Sequence, residues 1–353
     1  MLIKKIISKI VLPEKHHEAQ NICDVFMSQL IEVLLLPDYS GLQSTKIDFD
    51  DVPEDIATMS IEKILQLLID NDRLDAVAVV ALKRLVLSIV EDFLGFVSES
   101  FNAIKSAKFS VAYGLLRKPL MDELLMFEQM LVDKRGFIER YIVQRDVTLY
   151  DPSNRKLDNL KQNIIAEAVS NLTYSVLFDA KHIYNVRYDS SIKYGLYFVT
   201  NQALHIVTTH RHYRTPDQEL NFVFANTDDY EKCWEHYYSL MPMLMMYAAS
   251  VVDEIIFGLI PDMTHVKNMK GVRRCLADIR LSGLYEKYDE GMSDIIEGLS
   301  AQLEHVCKSC NSLIKPDVVE LNLFLFTNAI ECKTCKVNQV LDTDFVKKFP
   351  VEL

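Results

Sequence analysis

Cys307, Cys310, Cys332 and Cys335 carry the clearest chemistry in this chain, as two C-x2-C pairs separated by 21 residues. Two residues between cysteines let both sulfurs of a tight turn point at one centre. Two such turns supply four thiolates, the ligand set of a closed tetrahedral Zn2+ site. A site with four protein ligands has no open position, so such a zinc is structural rather than catalytic. A redox dithiol would need one pair only, and an iron–sulfur cluster also takes four cysteines. The implied local fold is a zinc ribbon, with two knuckles at the ends of short strands. Ribbon knuckles usually carry glycine after the second cysteine; here Asn311 and Lys336 stand in those places. Asn tolerates a positive φ better than Lys does. Lys308, Lys315, Lys333 and Lys336 lie close by in sequence and are expected to offset the negative charge of the thiolates. The spacer VVELNLFLF reads as strand-like and too apolar to stay exposed. The ribbon is therefore expected to dock on the helical body or on a second subunit.

A second constellation is YFVTNQALHIVTTHRHYRTP, residues 197 to 216, with His205, His210, Arg211, His212 and Arg214. Histidine exchanges protons near neutral pH, and arginine grips phosphate or carboxylate with two parallel N–H donors. Together they suit phosphate binding or RNA cleavage. Cations at a helix C-terminus are also favoured by the helix dipole alone. A third set, Arg117 and Glu123, lies in AYGLLRKPLMDELLMFE, residues 112 to 128. Charged groups in so apolar a run need partners, and an Arg–Glu or Arg–His contact across helices would provide them.

These side chains need a helical frame. Gly and Pro number only 10 each, too few for a turn-rich β fold, and about half of the residues are hydrophobic. The fold class expected is mainly α: a helical bundle body with a small C-terminal β zinc-ribbon appendage. Helical runs are expected at 14–36, 61–69, 72–104, 108–133, 136–147, 154–186, 190–210, 229–259 and about 270–303. Asp72 is expected to N-cap the third of these. Its core face is read as Val77, Val80, Ala81, Leu85, Ile89, Phe93 and Phe96. Pro119 should kink the helix beside Arg117. Residues 37–57 read as an acidic linker. The expected organisation is 1–57 for N-terminal helices and linker, 58–303 for the body, and 304–353 for the ribbon.

The net charge of −12 gives no global support for duplex binding. The N-terminal MLIKKIISKIVL is interrupted by lysines, unlike a signal peptide, and reads as a short amphipathic helix docked on the body. The apolar stretch 241–261 carries Asp253 and Glu254, which argues against a membrane span. Its Met-rich MPMLMM reads as core filling. Seven cysteines without a secretory pattern point to a reducing, cytoplasmic setting.

The stretch AYGLLRKPLMDELLMFE, followed about eighty residues later by YFVTNQALHIVT, resembles helical prokaryotic proteins related to the HEPN superfamily. Its members include RNA-cleaving toxins and antiviral effectors. In that group one helix carries arginine and a downstream glutamate, matched approximately by Arg117 and Glu123. A later helix carries tyrosine, a small polar residue and histidine at four-residue steps, matched by Tyr197, Asn201 and His205. The resemblance covers residues 70 to 260. It implies RNA binding or cleavage, in phage defence, with His205, His210 and Arg211 handling protons and phosphate and Arg117 in support. Catalytic members also carry arginine, four to six residues, then histidine, and this chain has no such spacing. The alternative is a non-catalytic interaction or regulatory protein, engaging a protein partner or a second copy, whose zinc is a scaffold.

Overall fold

The computed structural model describes residues 12–47, 55–151, 154–223, 228–260, 263–282 and 290–340, and a 3-10 turn (Glu14–His16) leads into helix α1 (His17–Leu35). The N-terminal amphipathic segment expected at residues 1–11 lies outside the described residues. The chain divides into two compact units. One holds residues 27–260 with the N-terminal residues up to His16; the other holds residues 17–26 and 261–353.

Among its described residues the first unit has helices and turns and no strand. After a 3-10 turn (Pro37–Leu42) come α2 (Ile61–Asp70), α3 (Leu74–Lys105) and α4 (Phe109–Arg117). A π-helical segment (Lys118–Glu123) leads into α5 (Leu124–Val132), followed by α6 (Lys134–Ile138). Then follow α7 (Arg155–Asp158), α8 (Lys161–Ser170), α9 (Ala180–Tyr188), α10 (Leu196–Leu204) and α11 (Asp228–Phe257). The core is built on α3 and α11. Val77, Ala81, Leu82, Val86, Val90, Phe93, Val97 and Phe101 are buried along α3 in one stripe at helical spacing. Val80, Leu85, Ile89 and Phe96, expected on the core face, are only half-buried on its flank. Met241, Met245 and Met246 are buried, as core filling requires. By length and composition α11 could cross a membrane, but 78% of its apolar window is buried within the protein.

Asp72 does not cap α3. It adopts φ 55° and donates its N–H to Ile69 O, while the Arg73 N–H reaches Leu68 O. That pair of bonds is a Schellman ending for α2, so Asp72 stops one helix instead of starting the next. Three longer helical expectations also break. Residues 154–186 form α7, α8, a 3-10 turn (Ser175–Leu177) and α9, with Asp179 capping α9 through the N–H groups of Lys181 and His182. The run expected to continue to residue 147 ends in a π turn (Glu139–Val143). The run expected over 190–210 is helical only in α10. Its start is set at Gly195, where a Cβ would meet Val186 O at 2.9 Å, so only glycine fits this close approach of two backbone segments.

The second unit holds α12 (Thr264–Leu281) and α13 (Glu290–Gln302), two helices where one was expected. Two antiparallel hairpins follow, β1 (His305–Val306) with β2 (Leu313–Ile314), and β3 (Ala329–Glu331) with β4 (Asn338–Val340). Between them lies α14 (Val318–Thr327), where a strand was expected. Asp317 decides the matter. Its carboxylate accepts from the Val319 and Glu320 N–H groups, and Glu320 accepts from the Asp317 N–H, a complete capping box. An apolar run this short has no diagnostic period, so the cap settles helix over strand. Leu321, Phe324 and Leu325 are buried, and α14 packs on α12, whose Arg273 donates to Leu325 O at 3.0 Å.

Candidate functional sites

Each C-x2-C pair forms the turn of one hairpin. Cys307 N–H donates to Ser312 O and Cys332 N–H to Val337 O; Asn311 N–H donates to Cys307 O and Lys336 N–H to Cys332 O. Both turns close through a residue in the left-handed region, Asn311 at φ 59° and Lys336 at φ 60°. The positions where glycine is usual thus keep the left-handed backbone without it, Lys336 included.

The two turns bring all four sulfurs within 4.8 Å of one another. The Cys307–Cys335 separation is 3.6 Å and the Cys310–Cys332 separation 3.7 Å. A disulfide needs about 2.05 Å, so the four are free thiols converging on one point. The cluster could hold a metal ion. Ser312 Oγ lies 3.0 Å from Cys310 Sγ and 3.3 Å from Cys332 Sγ. That hydroxyl, ahead of the backbone N–H groups of Cys335 and Thr334, pulls the Cys332 thiol down to about 5. The lysines are engaged elsewhere. Lys333 binds Asp317 at 2.7 Å, Lys336 binds Glu331 at 3.2 Å, and Lys315 lies 3.8 Å from Glu297.

In the first unit, His205 terminates α10 in extended backbone, and its carbonyl accepts from Asn221 Nδ2. His210, Arg211, His212 and Arg214 all lie beyond the helix, in a loop closed by Thr215 N–H to Thr208 O and Asn221 N–H to Ile206 O. These backbone bonds draw residues 205–208 away from a helical path. Within the loop the His210 ring stacks on Tyr213 with centroids 4.4 Å apart, and Arg211 Nε donates to His212 Nε2 at 2.8 Å. Arg214 pairs with Asp217 at 3.0 Å.

Arg117 reaches this surface through α10. Its Nη1 donates to Asn201 Oδ1 at 3.0 Å, and Asn201 Nδ2 donates to Tyr197 O. The Tyr197 ring then meets Tyr213 edge-on at 5.8 Å. Contacts thus run from Arg117 through the buried Asn201 to Tyr197, Tyr213 and His210, of which Arg117, Tyr197 and Tyr213 are half-buried and His210 is exposed. The His205 imidazole, by contrast, makes no hydrogen bond to another described side chain.

Glu123 does not meet Arg117. It lies 3.3 Å from the Lys118 ammonium, which also pairs with Asp92. Burial, then the hydrogen bond to Asp92, pushes the Glu123 carboxyl up to about 8.

A further cluster has no sequence motif. Arg187 and Glu128 form a fully buried ion pair, and the Tyr247 hydroxyl donates to the same carboxylate at 2.8 Å. Arg187 Nε donates to Leu120 O at 2.7 Å, and the Tyr188 hydroxyl donates to Met121 O. Both carbonyls belong to the π segment. The sequence signal was Glu128 alone, a single charge in the apolar run LLMFEQMLV.

The fold and its sites define a class: a mainly helical protein whose C-terminal unit carries a pair of knuckles with four clustered cysteines. No family profile matches the chain, and no curated protein or solved structure matches it either.

Proposed function

We propose that the chain is an intracellular, zinc-stabilised helical protein that binds single-stranded RNA on the surface formed by Arg117, Tyr197, His210 and Tyr213. The observation that carries the reading is the assembly of an arginine, a tyrosine pair and a stacked histidine from α4, α10 and the following loop. Single-strand readers combine cationic groups with rings on which bases stack, each stacked base contributing roughly 1–3 kcal/mol. Binding without cleavage is favoured because the chain lacks the arginine-to-histidine spacing of catalytic HEPN proteins.

Zinc is the metal that suits the knuckle cluster. Sulfurs bonded at about 2.3 Å around a tetrahedral centre lie about 3.8 Å apart, close to the observed 3.6 and 3.7 Å. A multi-iron cluster places its own iron and sulfide atoms between the thiolates, and four sulfurs all within 4.8 Å of one another support a single ion instead. Purified protein should contain one zinc per chain and lack visible absorbance.

The test of the RNA reading is fluorescence anisotropy with a labelled single-stranded RNA, for wild type, Arg117→Ala and Tyr213→Ala, each checked for fold by circular dichroism. Each substitution should weaken binding on the order of tenfold, as expected for one stacking or phosphate contact. Wild type that leaves the RNA unbound, or variants that bind as well as wild type, would sink the reading.

A second reading has its own observation. Leu204, Ile206, Val207, Leu220 and Val223, in the same loop region, are all exposed, between 45% and 64%. An apolar patch of this kind marks a protein-interaction surface. A stoichiometric complex or a homodimer, lost on Ile206→Ser/Val207→Ser, together with inert behaviour toward RNA, would favour it.

A further inference from the structure

The two knuckles are near copies. Each closes through the same pair of backbone bonds, Cys307 to Ser312 and Asn311 to Cys307 in the first, Cys332 to Val337 and Lys336 to Cys332 in the second. Each has one left-handed residue at the equivalent place. One chemical difference lies two residues past the second cysteine, where the first knuckle has Ser312 and the second has Val337. Backbone closure does not require the hydroxyl, since Val337 closes its turn without one. Yet the Ser312 hydroxyl lies 3.0 Å from a sulfur of its own knuckle, Cys310, and 3.3 Å from a sulfur of the other, Cys332.

Four thiolates around a divalent ion leave an excess of two negative charges. Lys315, Lys333 and Lys336 are committed to carboxylates. The donors that reach the sulfurs directly are short-range ones such as the Ser309 N–H, 3.4 Å from Cys307 Sγ, and the Ser312 hydroxyl.

We propose that Ser312 is a positioning residue of the metal site, whose hydroxyl joins the two knuckles by hydrogen-bonding to Cys310 and Cys332 and so determines how tightly the ion is held. The proposal rests on the zinc reading above and deepens it. A hydroxyl has one proton, so it donates to one sulfur at a time and holds both within its reach. Outer-shell partners of this kind typically change metal affinity by about 10–100-fold when removed.

The experiment is competition for zinc against a chromophoric chelator, with the full chain as wild type, Ser312→Ala, Ser312→Thr and Val337→Ala. The cobalt-substituted spectrum of each is recorded alongside. Ser312→Ala should bind zinc about tenfold more weakly and shift the thiolate-to-cobalt charge-transfer band to lower energy, while its tetrahedral d–d bands persist. Ser312→Thr should restore both, and Val337→Ala should leave both unchanged. Ser312→Ala with wild-type affinity and an unshifted band would overturn the role of Ser312 and leave the metal site standing. So would a Ser312→Thr protein that binds no better than Ser312→Ala. Wild type that fails to take up one zinc per chain would overturn the metal site itself, and this proposal with it.

Discussion

Glu123 shows how a single side chain can make stability depend on pH. It is a buried carboxyl with Lys118 at 3.3 Å and Asp92 as its neighbour. Burial outweighs the ammonium, and the carboxyl is raised from the ordinary 4.5 to about 8. The folded state therefore holds this proton more tightly than the unfolded chain does. The resulting stabilisation is fully present below pH 4.5 and is lost as pH rises through about 8. Denaturation of wild type and Glu123→Gln between pH 5 and 9 should show wild type losing stability relative to the variant, by at most about 1.4 kcal/mol per pH unit. Parallel curves would mean that Glu123 is ionised throughout. The sequence marked Glu123 and Arg117 as charges in need of partners across helices, without fixing which partners. The two lie on opposite sides of the π segment's start, and no periodicity argument can anticipate which neighbouring helix each will face. Arg117 found Asn201 on α10, and Glu123 found Lys118 and Asp92.

At the scale of elements, Pro119 was legible as a disturbance, and the consequence was not. The π segment Lys118–Glu123 leaves carbonyls that a regular helix would satisfy, and Arg187 and Tyr188 at the end of α9 reach Leu120 O and Met121 O. Arg187 does this while paired with Glu128 in full burial. Arg187→Leu would leave the buried Glu128 carboxylate without its counter-ion, held by the Tyr247 hydroxyl, and remove the donor to Leu120 O, and should cost about 3–5 kcal/mol in urea unfolding. Adding Glu128→Leu should recover part of that loss, because the stranded charge is then gone. A double variant no better than the single would show that the carbonyl contact dominates. The same limit explains α14. Its apolar run VVELNLFLF fits a buried helix or a strand equally, and the deciding signal was the capping box at Asp317 and Glu320. Asp317→Ala should destabilise the second unit by about 1 kcal/mol, read as a lower melting temperature of zinc-loaded protein, and it also removes one of the two carboxylates that hold Lys333. The mainly helical class, by contrast, was legible from the scarcity of Gly and Pro and the helical spacing of apolar residues. The four cysteines were legible because ligand spacing is written directly in the chain.

Across the whole molecule, the two units differ in what holds them together. The first has a core made by long helices, with Phe93, Phe101, Phe127, Tyr237 and Tyr247 almost fully buried. In the second, the strands are two or three residues long. Hairpins so short are not stable alone, and the knuckle turns require left-handed backbone at Asn311 and Lys336, which is unfavourable for side chains with a Cβ. A metal that binds only the folded knuckles adds its binding free energy to their folding. Removal of zinc by a strong chelator should therefore act locally. Hydrogen exchange should accelerate at residues 305–314, 329–331 and 338–340, and at α14, whose ends are tied to the two hairpins. Protection along α3 and α11 should persist, and circular dichroism should keep most of its helical signal. Simultaneous loss of protection in both units would show that the metal supports the whole fold. Undiminished protection at the knuckles after complete chelation would show that α14 and its contacts with α12 suffice to hold them without the ion.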